Sequence, residues 1–151
     1  MKAVLQRATK AAVVVDREQV GSIGPGLVIL ICVEQLDSEA ECDFLARKCA
    51  DLRIFADDEG KMNKSLLDVK GAVLLISQFT LAADWKKGRR PGFTGAASPS
   101  EGKRLYEYFG KLLADLGIEV QYGIFGAHME VSLTNDGPVT LILDYRATTP
   151  E

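Results

Sequence analysis

Two short segments of this chain carry side chains that could do chemistry. Ser77-Gln78-Phe79-Thr80-Leu81 sets two hydroxyls, a carboxamide and an aromatic ring within four positions. Hydroxyls can attack or donate, a carboxamide can orient a water, and a ring can stack. A plainer reading of the same residues is a strand end whose hydroxyls bond to nearby backbone. The second segment is Thr134-Asn135-Asp136-Gly137-Pro138-Val139-Thr140. Asn, Asp, Gly and Pro in succession are ordinary turn formers. Taken singly, each segment is accounted for as scaffold.

Other reactive residues are few. His128 is the one histidine, between Ala127 and Met129. A single imidazole excludes the His-pair metal motifs, and any Ser-His or Cys-His pairing would hang on this residue. A structural or surface role is the preferred reading. Cys32, Cys42 and Cys49 are odd in number and form no C-x-x-C pair, which points to neither a disulfide framework nor a zinc site. Buried thiols behave as small hydrophobes, and inert core positions are expected for them. No glycine-rich nucleotide fingerprint is present. Neither a metal nor a cofactor is therefore expected. Lys86-Lys87-Gly88-Arg89-Arg90 places four positive charges in five residues on a chain of net charge −3. A solvated loop explains such a run. Its closeness to Ser77–Leu81 makes a phosphate contact the second reading.

The elements that must hold these residues follow from periodicity. Lys2–Arg7 and Ala11–Asp16 read as two strands, the latter with β-branched Val13-Val14-Val15. Asp16–Gln19 reads as a polar turn, and Val20–Gly24 as a short strand. Leu27–Glu34, apolar almost throughout, suits a strand covered on both faces. Ser38 with Glu41 is a capping-box pattern that opens a helix, along which Cys42, Leu45, Cys49 and Leu52 share one face. Arg53–Ala56 and Ala72–Ser77 read as strands. Ser98-Pro99-Ser100-Glu101 supplies an N-cap, a Pro at the first helical position and an acid at the third. The apolar stripe Leu105, Tyr108, Phe109, Leu112, Leu113 and Leu116 follows, and Gly117 stops the helix. Ile118–Tyr122, Met129–Leu133 and Val139–Tyr145 read as closing strands. Two main helices cannot cover both faces of so many strands. The expected fold is thus α/β with a mixed sheet, a compact three-layer β/β/α single domain. Strand edges left open suggest a homodimer.

Length and composition agree. A chain of 151 residues, 47% hydrophobic and 26% charged, is one globular domain. Its expected extent is residues 1–145, with a loose tail at 146–151. The longest apolar run, Leu27–Val33, is far short of the ~20 residues a membrane span needs. Met1–Arg7 breaks its apolar run too early for a signal peptide. A cytoplasmic protein with no membrane partner is expected.

Together the two segments point further. S-Q-F-T-L at 77–81 and N-D-G-P-V-T at 135–140 resemble the two signatures of the D-aminoacyl-tRNA deacylase family. Lys2–Ala8, Arg53-Ile54-Phe55, Gly60-Lys61-Met62-Asn63, Arg90-Pro91-Gly92-Phe93 and Ala97-Ser98-Pro99 resemble further stretches of that family, in the same order. The resemblance spans residues 1–145. It implies an enzyme that cuts the ester between a D-amino acid and the 3′-terminal adenosine of tRNA. It also implies that the Gly137-Pro138 peptide is cis, and that this dipeptide reaches across a homodimer interface into the partner's active site.

That arrangement makes physical sense. The task is to accept any side chain of one hand, and attractive pockets discriminate a methylene by only ~1–3 kcal/mol. A rigid wall discriminates better. With the carbonyls of Gly137 and Pro138 facing the α-carbon, an L side chain would strike them and a D side chain would point to solvent. Glycine has nothing to exclude, so glycyl-tRNA should pass as a side substrate. For the hydrolysis itself, Thr80 is a possible nucleophile, but no activating base stands nearby in the sequence. The favoured route uses backbone N–H groups near Phe79 and Thr80 for the oxyanion. The ribose 2′-hydroxyl, with Gln78 nearby, would position the water. Ser77 belongs to the same catalytic set. Phe79, Phe125 and Met129 are candidates for the adenine pocket, with simple core as the alternative for the last two. Arg7 could brace the Gly-Pro segment through its backbone, with a surface salt bridge as the alternative. The competing functions are a tRNA-binding module without catalysis and a small-molecule thioesterase or esterase that needs no RNA.

Overall fold

Residues 2–15 form one strand rather than two. In a computed structural model, which describes residues 1–148 of the chain, β1 runs Lys2–Val15 without interruption. One edge pairs antiparallel with β8 (Glu130–Asp144) from Lys2↔Asp144 to Val14↔Glu130. The other edge pairs first with β3 (Gly26–Cys32) and then with β2 (Glu18–Ile23). The turn between β1 and β2 is only Asp16-Arg17, both left-handed at φ 50 and 67. Two residues of positive φ match the twist of a hairpin.

The chain then forms α1 (Glu39–Asp51), the two-stranded β4 (Phe55–Ala56) and β5 (Met62–Lys64), the short α2 (Leu66–Val69) and β6 (Ala72–Ser77). A 3₁₀ turn covers Phe79–Ala82, and α3 (Pro99–Asp115) and β7 (Val120–Tyr122) precede β8. Strand β6 lies parallel to both β3 and β7. The main sheet is therefore mixed, in the order β2-β1-β3-β6-β7 with β8 on the outer edge of β1.

Side-chain alternation divides the interior into two cores, since successive residues of a strand point to opposite faces. Ile29, Ile31, Val73 and Leu75 pack with Leu45, Cys49, Leu105 and Phe109 of α1 and α3. Val28, Leu74 and Ile76 face the other way, onto Ala11 and Val13 of β1 and Ile23 of β2. The fold is thus mixed α/β, with both main helices on one face of the central strands and a β layer on the other. Burying each such Leu, Ile or Val contributes ~1.5–3 kcal/mol.

Both helix starts form as their residues dictate. Ser38 Oγ accepts from Ala40 N–H at 3.2 Å, and Glu41 Oε2 accepts from Ser38 N–H at 2.8 Å. Ser98 Oγ accepts from Glu101 N–H at 3.4 Å. The buried face of α3 is rotated from the apolar stripe, however. It comprises Gly102, Leu105, Tyr106, Phe109, Gly110 and Leu113, while Tyr108, Leu112 and Leu116 are only partly covered. Glycines make room there for aromatic rings. A Cβ on Gly110 would stand 2.5 Å from the Tyr122 ring, and one on Gly102 would stand 3.3 Å from the Phe125 ring.

The two expected strands Met129–Leu133 and Val139–Tyr145 are likewise one strand, β8, which begins at Glu130 and ends at Asp144. The intervening turn formers make a bulge within it rather than a reversal. The start of the expected tail is tied down. Arg146 donates to the Gln35 carbonyl at 3.2 Å, and Ala147 N–H donates to Glu41 Oε1 at 2.9 Å. The rest of that tail, 149–151, lies outside the described residues.

Candidate active site

The site is built at the carboxyl end of β6. Buried Val73–Ile76 carries the chain to half-buried Ser77, where the strand ends. Gln78 N–H donates to the Ile31 carbonyl at 2.8 Å, which docks the segment on β3. The chain then winds into the 3₁₀ turn Phe79–Ala82. The first N–H groups of a helical turn have no partner inside it. Leu81 N–H bonds to the Gln78 carbonyl, so the N–H groups of Phe79 and Thr80 open the turn ahead of it. Gln78 Nε2 donates to Thr80 Oγ1 at 2.5 Å. Thr80 itself is exposed.

A cavity of about 550 Å³ opens beside this turn, and Ser77, Gln78, Phe79, Phe125 and Met129 all line it. That volume falls in the range of small-ligand pockets, ~300–1,000 Å³. Phe79 is 56% exposed and meets the edge of Phe93 with ring centroids 5.3 Å apart. Phe125 rests on Gly102 of α3, and a Cβ on Gly123 would stand 2.5 Å from Met129 Sδ. The two wall residues are therefore seated against glycines, whose missing side chains set how far the walls stand back.

Three lining features escaped the sequence reading. Phe93, His128 and the Ser98-Pro99 start of α3 all face the cavity. Phe93 sits in a Gly- and Pro-rich stretch with no periodicity to mark it. His128, for which a structural or surface role is the preferred reading, is an exposed residue at the cavity wall.

Thr80 stands beside the cavity without lining it, and Gly137, Pro138 and Arg7 are not brought to it at all. In the β1–β8 ladder, Gln6 pairs with Thr140 and Ala8 with Asn135, so four residues of β8 face Arg7 alone. Arg7 is level with Leu27 and Val73, whereas Ser77 is level with Ile31. Four residues of strand, about 13 Å, separate the two levels. The bulge is closed by its own side chains. Asn135 Oδ1 accepts from Val139 N–H at 2.8 Å, and Asn135 Nδ2 donates to Thr140 Oγ1 at 2.9 Å. Arg7 Nε donates to the Asp136 carbonyl at 2.9 Å. The Gly137-Pro138 peptide bond is cis, and Gly137 has φ 145, where side chains are disfavoured. Both residues are exposed.

The thiols take no part in the chemistry. Burial pushes Cys32 up to about 11, and it pushes Cys42 and Cys49 up to about 12. Such thiols are not nucleophiles near neutrality. Cys32 Sγ instead lies 3.5 Å beneath the Phe79 carbonyl, as packing under the turn. Among the described residues, no group of three or more His, Cys, Asp or Glu is placed to hold a metal ion.

Comparison with known proteins decides the family. The family model described as D-Tyr-tRNA(Tyr) deacylase matches residues 4–144. The chain belongs to the D-Tyr-tRNA(Tyr) deacylase family. Within this deacylase family, a D-aminoacyl-tRNA deacylase of Ruegeria pomeroyi is 56% identical over 144 residues, 95% of this chain and 99% of that protein. One of Thermus aquaticus is 55% identical over 144 residues, 95% of each chain. The solved structure named c-Myc DNA Unwinding Element Binding Protein superposes with a TM-score of 0.90 at 38% identity, covering 97% of this chain and all of that one. A probable eukaryotic D-amino acid tRNA deacylase shares the fold, with a TM-score of 0.80 at 18% identity, covering 95% of this chain and 98% of that one. Among the described residues, no helix is long and apolar enough to cross a membrane.

Proposed function

We propose that this chain hydrolyses the ester bond of D-aminoacyl-tRNA, releasing the D-amino acid and free tRNA in the cytoplasm. The observation that carries the reading is the cavity at the end of β6, where Ser77, Gln78, Phe79, Phe125 and Met129 converge. Near-full-length identity to proteins named D-aminoacyl-tRNA deacylase supports it.

In this reading the terminal adenine stacks among Phe79, Phe125 and Met129. Stacking on an unpaired base contributes ~1–3 kcal/mol. The ester carbonyl then sits over the opening of the 3₁₀ turn, where the N–H groups of Phe79 and Thr80 take up the oxyanion charge. Water is positioned by the ribose 2′-hydroxyl with Gln78. The hydrogen bond from Gln78 holds the Thr80 hydroxyl, and among the described residues its side-chain partner is this carboxamide, which is not a base.

Chirality is judged by a second copy of the chain. The Gly137-Pro138 segment is exposed, stiffly braced and remote from its own cavity. It stands on β8, whose only strand partner among the described residues is β1. Ile142 of the same strand is 78% exposed. A homodimer built on this strand presents the Gly-Pro carbonyls to the partner's cavity, where they exclude an L side chain. Glycyl-tRNA passes.

Release of free amino acid from D-tyrosyl-tRNA by the purified protein tests the reading. Multiple turnovers are expected. Tight tRNA binding without release would favour a non-catalytic binding module instead.

A further inference from the structure

The Lys86–Arg90 run takes no part in the chemistry derived above, yet its stems come from the cavity wall. Asp84 and Gly92 exchange two backbone hydrogen bonds of 2.8 Å, closing a loop of Trp85–Pro91. The segment entering the loop leaves the 3₁₀ turn that carries Phe79. The segment leaving it continues at once to Phe93, which lines the cavity. Gly88, at φ 68, lets the chain reverse at the tip. Every residue from Trp85 to Pro91 is exposed. None of the ion pairs among the described residues involves Lys86, Lys87, Arg89 or Arg90. Trp85 is 71% exposed at the foot of the loop.

Four unpaired cations beside a cavity, on a chain of net charge −3, are a local field rather than a general one. The partner that fits is a polyanion whose end is seated in that cavity. We infer that the Trp85–Pro91 loop docks the phosphate backbone of the substrate RNA adjoining its 3′ end, with Trp85 lying against the unpaired nucleotides there. The inference rests on the aminoacyl-RNA reading above. Phosphate contacts position an RNA without reading its sequence. The loop therefore raises affinity for the whole RNA and leaves the reacting ester untouched.

Trp85 is the chain's single tryptophan, so its emission reports on the loop directly. The test titrates uncharged tRNA into the wild-type protein and into a Lys86→Ala/Lys87→Ala/Arg89→Ala variant between about 50 and 200 mM KCl. Wild-type emission is expected to be quenched, with affinity falling steeply as salt rises. The variant should bind about 10-fold or more weakly at low salt, and its salt slope should be shallower by about 2. In hydrolysis assays the variant should show raised KM and unchanged kcat on D-tyrosyl-tRNA. With 3′-O-(D-tyrosyl)adenosine, which has no phosphate, both proteins should be equal. Unchanged affinity and salt slope in the variant would overturn the inference, as would an equal loss on the phosphate-free ester. A wild-type protein that cleaves neither ester but keeps salt-dependent quenching would sink the deacylase reading and leave the loop's role standing.

Discussion

Arg7 and Asp136 face each other across the β1–β8 ladder, where four residues of one strand oppose a single residue of the other. Nε of Arg7 donates to the Asp136 carbonyl at 2.9 Å, while Nη1 donates to the Ile54 carbonyl at 2.7 Å. One planar group thus ties the bulge that holds Gly137 and Pro138 to the chain just before β4. Hydrogen bonds from charged donors contribute ~1.5–3 kcal/mol each, so Arg7→Ala is expected to lower kcat/KM for D-tyrosyl-tRNA by about 10–100-fold. Arg7→Lys lacks the fork and should recover only part of that. Steady-state hydrolysis by the folded variants checks this. Wild-type rates in Arg7→Ala would detach the bracing from the reaction.

The seat of Phe125 on Gly102 gives a second prediction. Glycine inside a helix is less stable than alanine by ~0.5–1 kcal/mol, so α3 gives up stability at this position. The methyl of Gly102→Ala would press on Phe125 Cζ from 3.3 Å and push the ring toward the cavity. The expected result is a KM for D-tyrosyl-tRNA raised about 10-fold, with kcat and the melting temperature little changed. In a Phe125→Leu background the same substitution should matter far less. Equal effects in both backgrounds would mean that the glycine acts through helix stability and not through the ring.

Much of this was legible in the residues. The Ser38 capping box, the Ser98 N-cap and the buried run Val73–Ile76 each carry a local signal strong enough to stand without tertiary context, whereas the two signature segments gain meaning only when taken together. The failures share a cause. Asn135–Val139 has turn chemistry, but its hydrogen bonds close back onto β8, and only the long partner β1 reveals a bulge. Met62–Lys64 and Leu66–Val69 are too short to show a period, although Ser65 with Asp68 forms a capping box there. The rotated face of α3 depends on Tyr122 and Phe125 arriving from distant sequence. No pattern within the helix announces them.

Thr80→Ala separates the two routes to hydrolysis. Thr80 Oγ1 accepts from Gln78, and the turn's N–H groups belong to the backbone, which the substitution leaves in place. The variant is expected to keep activity within about 10-fold of wild type, as for loss of a hydrogen-bonded hydroxyl. Single-turnover rates with saturating protein measure it. A folded variant that binds tRNA normally yet releases no D-tyrosine would make Thr80 the nucleophile.

The three thiols predict an alkaline limit to stability. Their ordinary value of 9.0 is raised to about 11 for Cys32 and about 12 for Cys42 and Cys49, because burial penalises the thiolate. The stability this reflects is fully present below pH 9 and is lost progressively as pH rises from 9 to about 12, where the unfolded thiols ionise and the buried ones do not. Denaturant midpoints should hold below that window and fall across it. At about pH 8 the native protein should resist thiol alkylation, while the unfolded chain reacts at all three sites.

The measurement that bears most directly on the account compares three substrates on one purified protein: D-tyrosyl-tRNA, L-tyrosyl-tRNA and glycyl-tRNA. Exclusion by main-chain atoms of a second copy predicts rapid release from the D ester and the glycyl ester, with the L ester spared by a factor of 100 or more, about 3 kcal/mol. Comparable release from both mirror-image tyrosyl esters would contradict it, as would a glycyl ester left as intact as the L form.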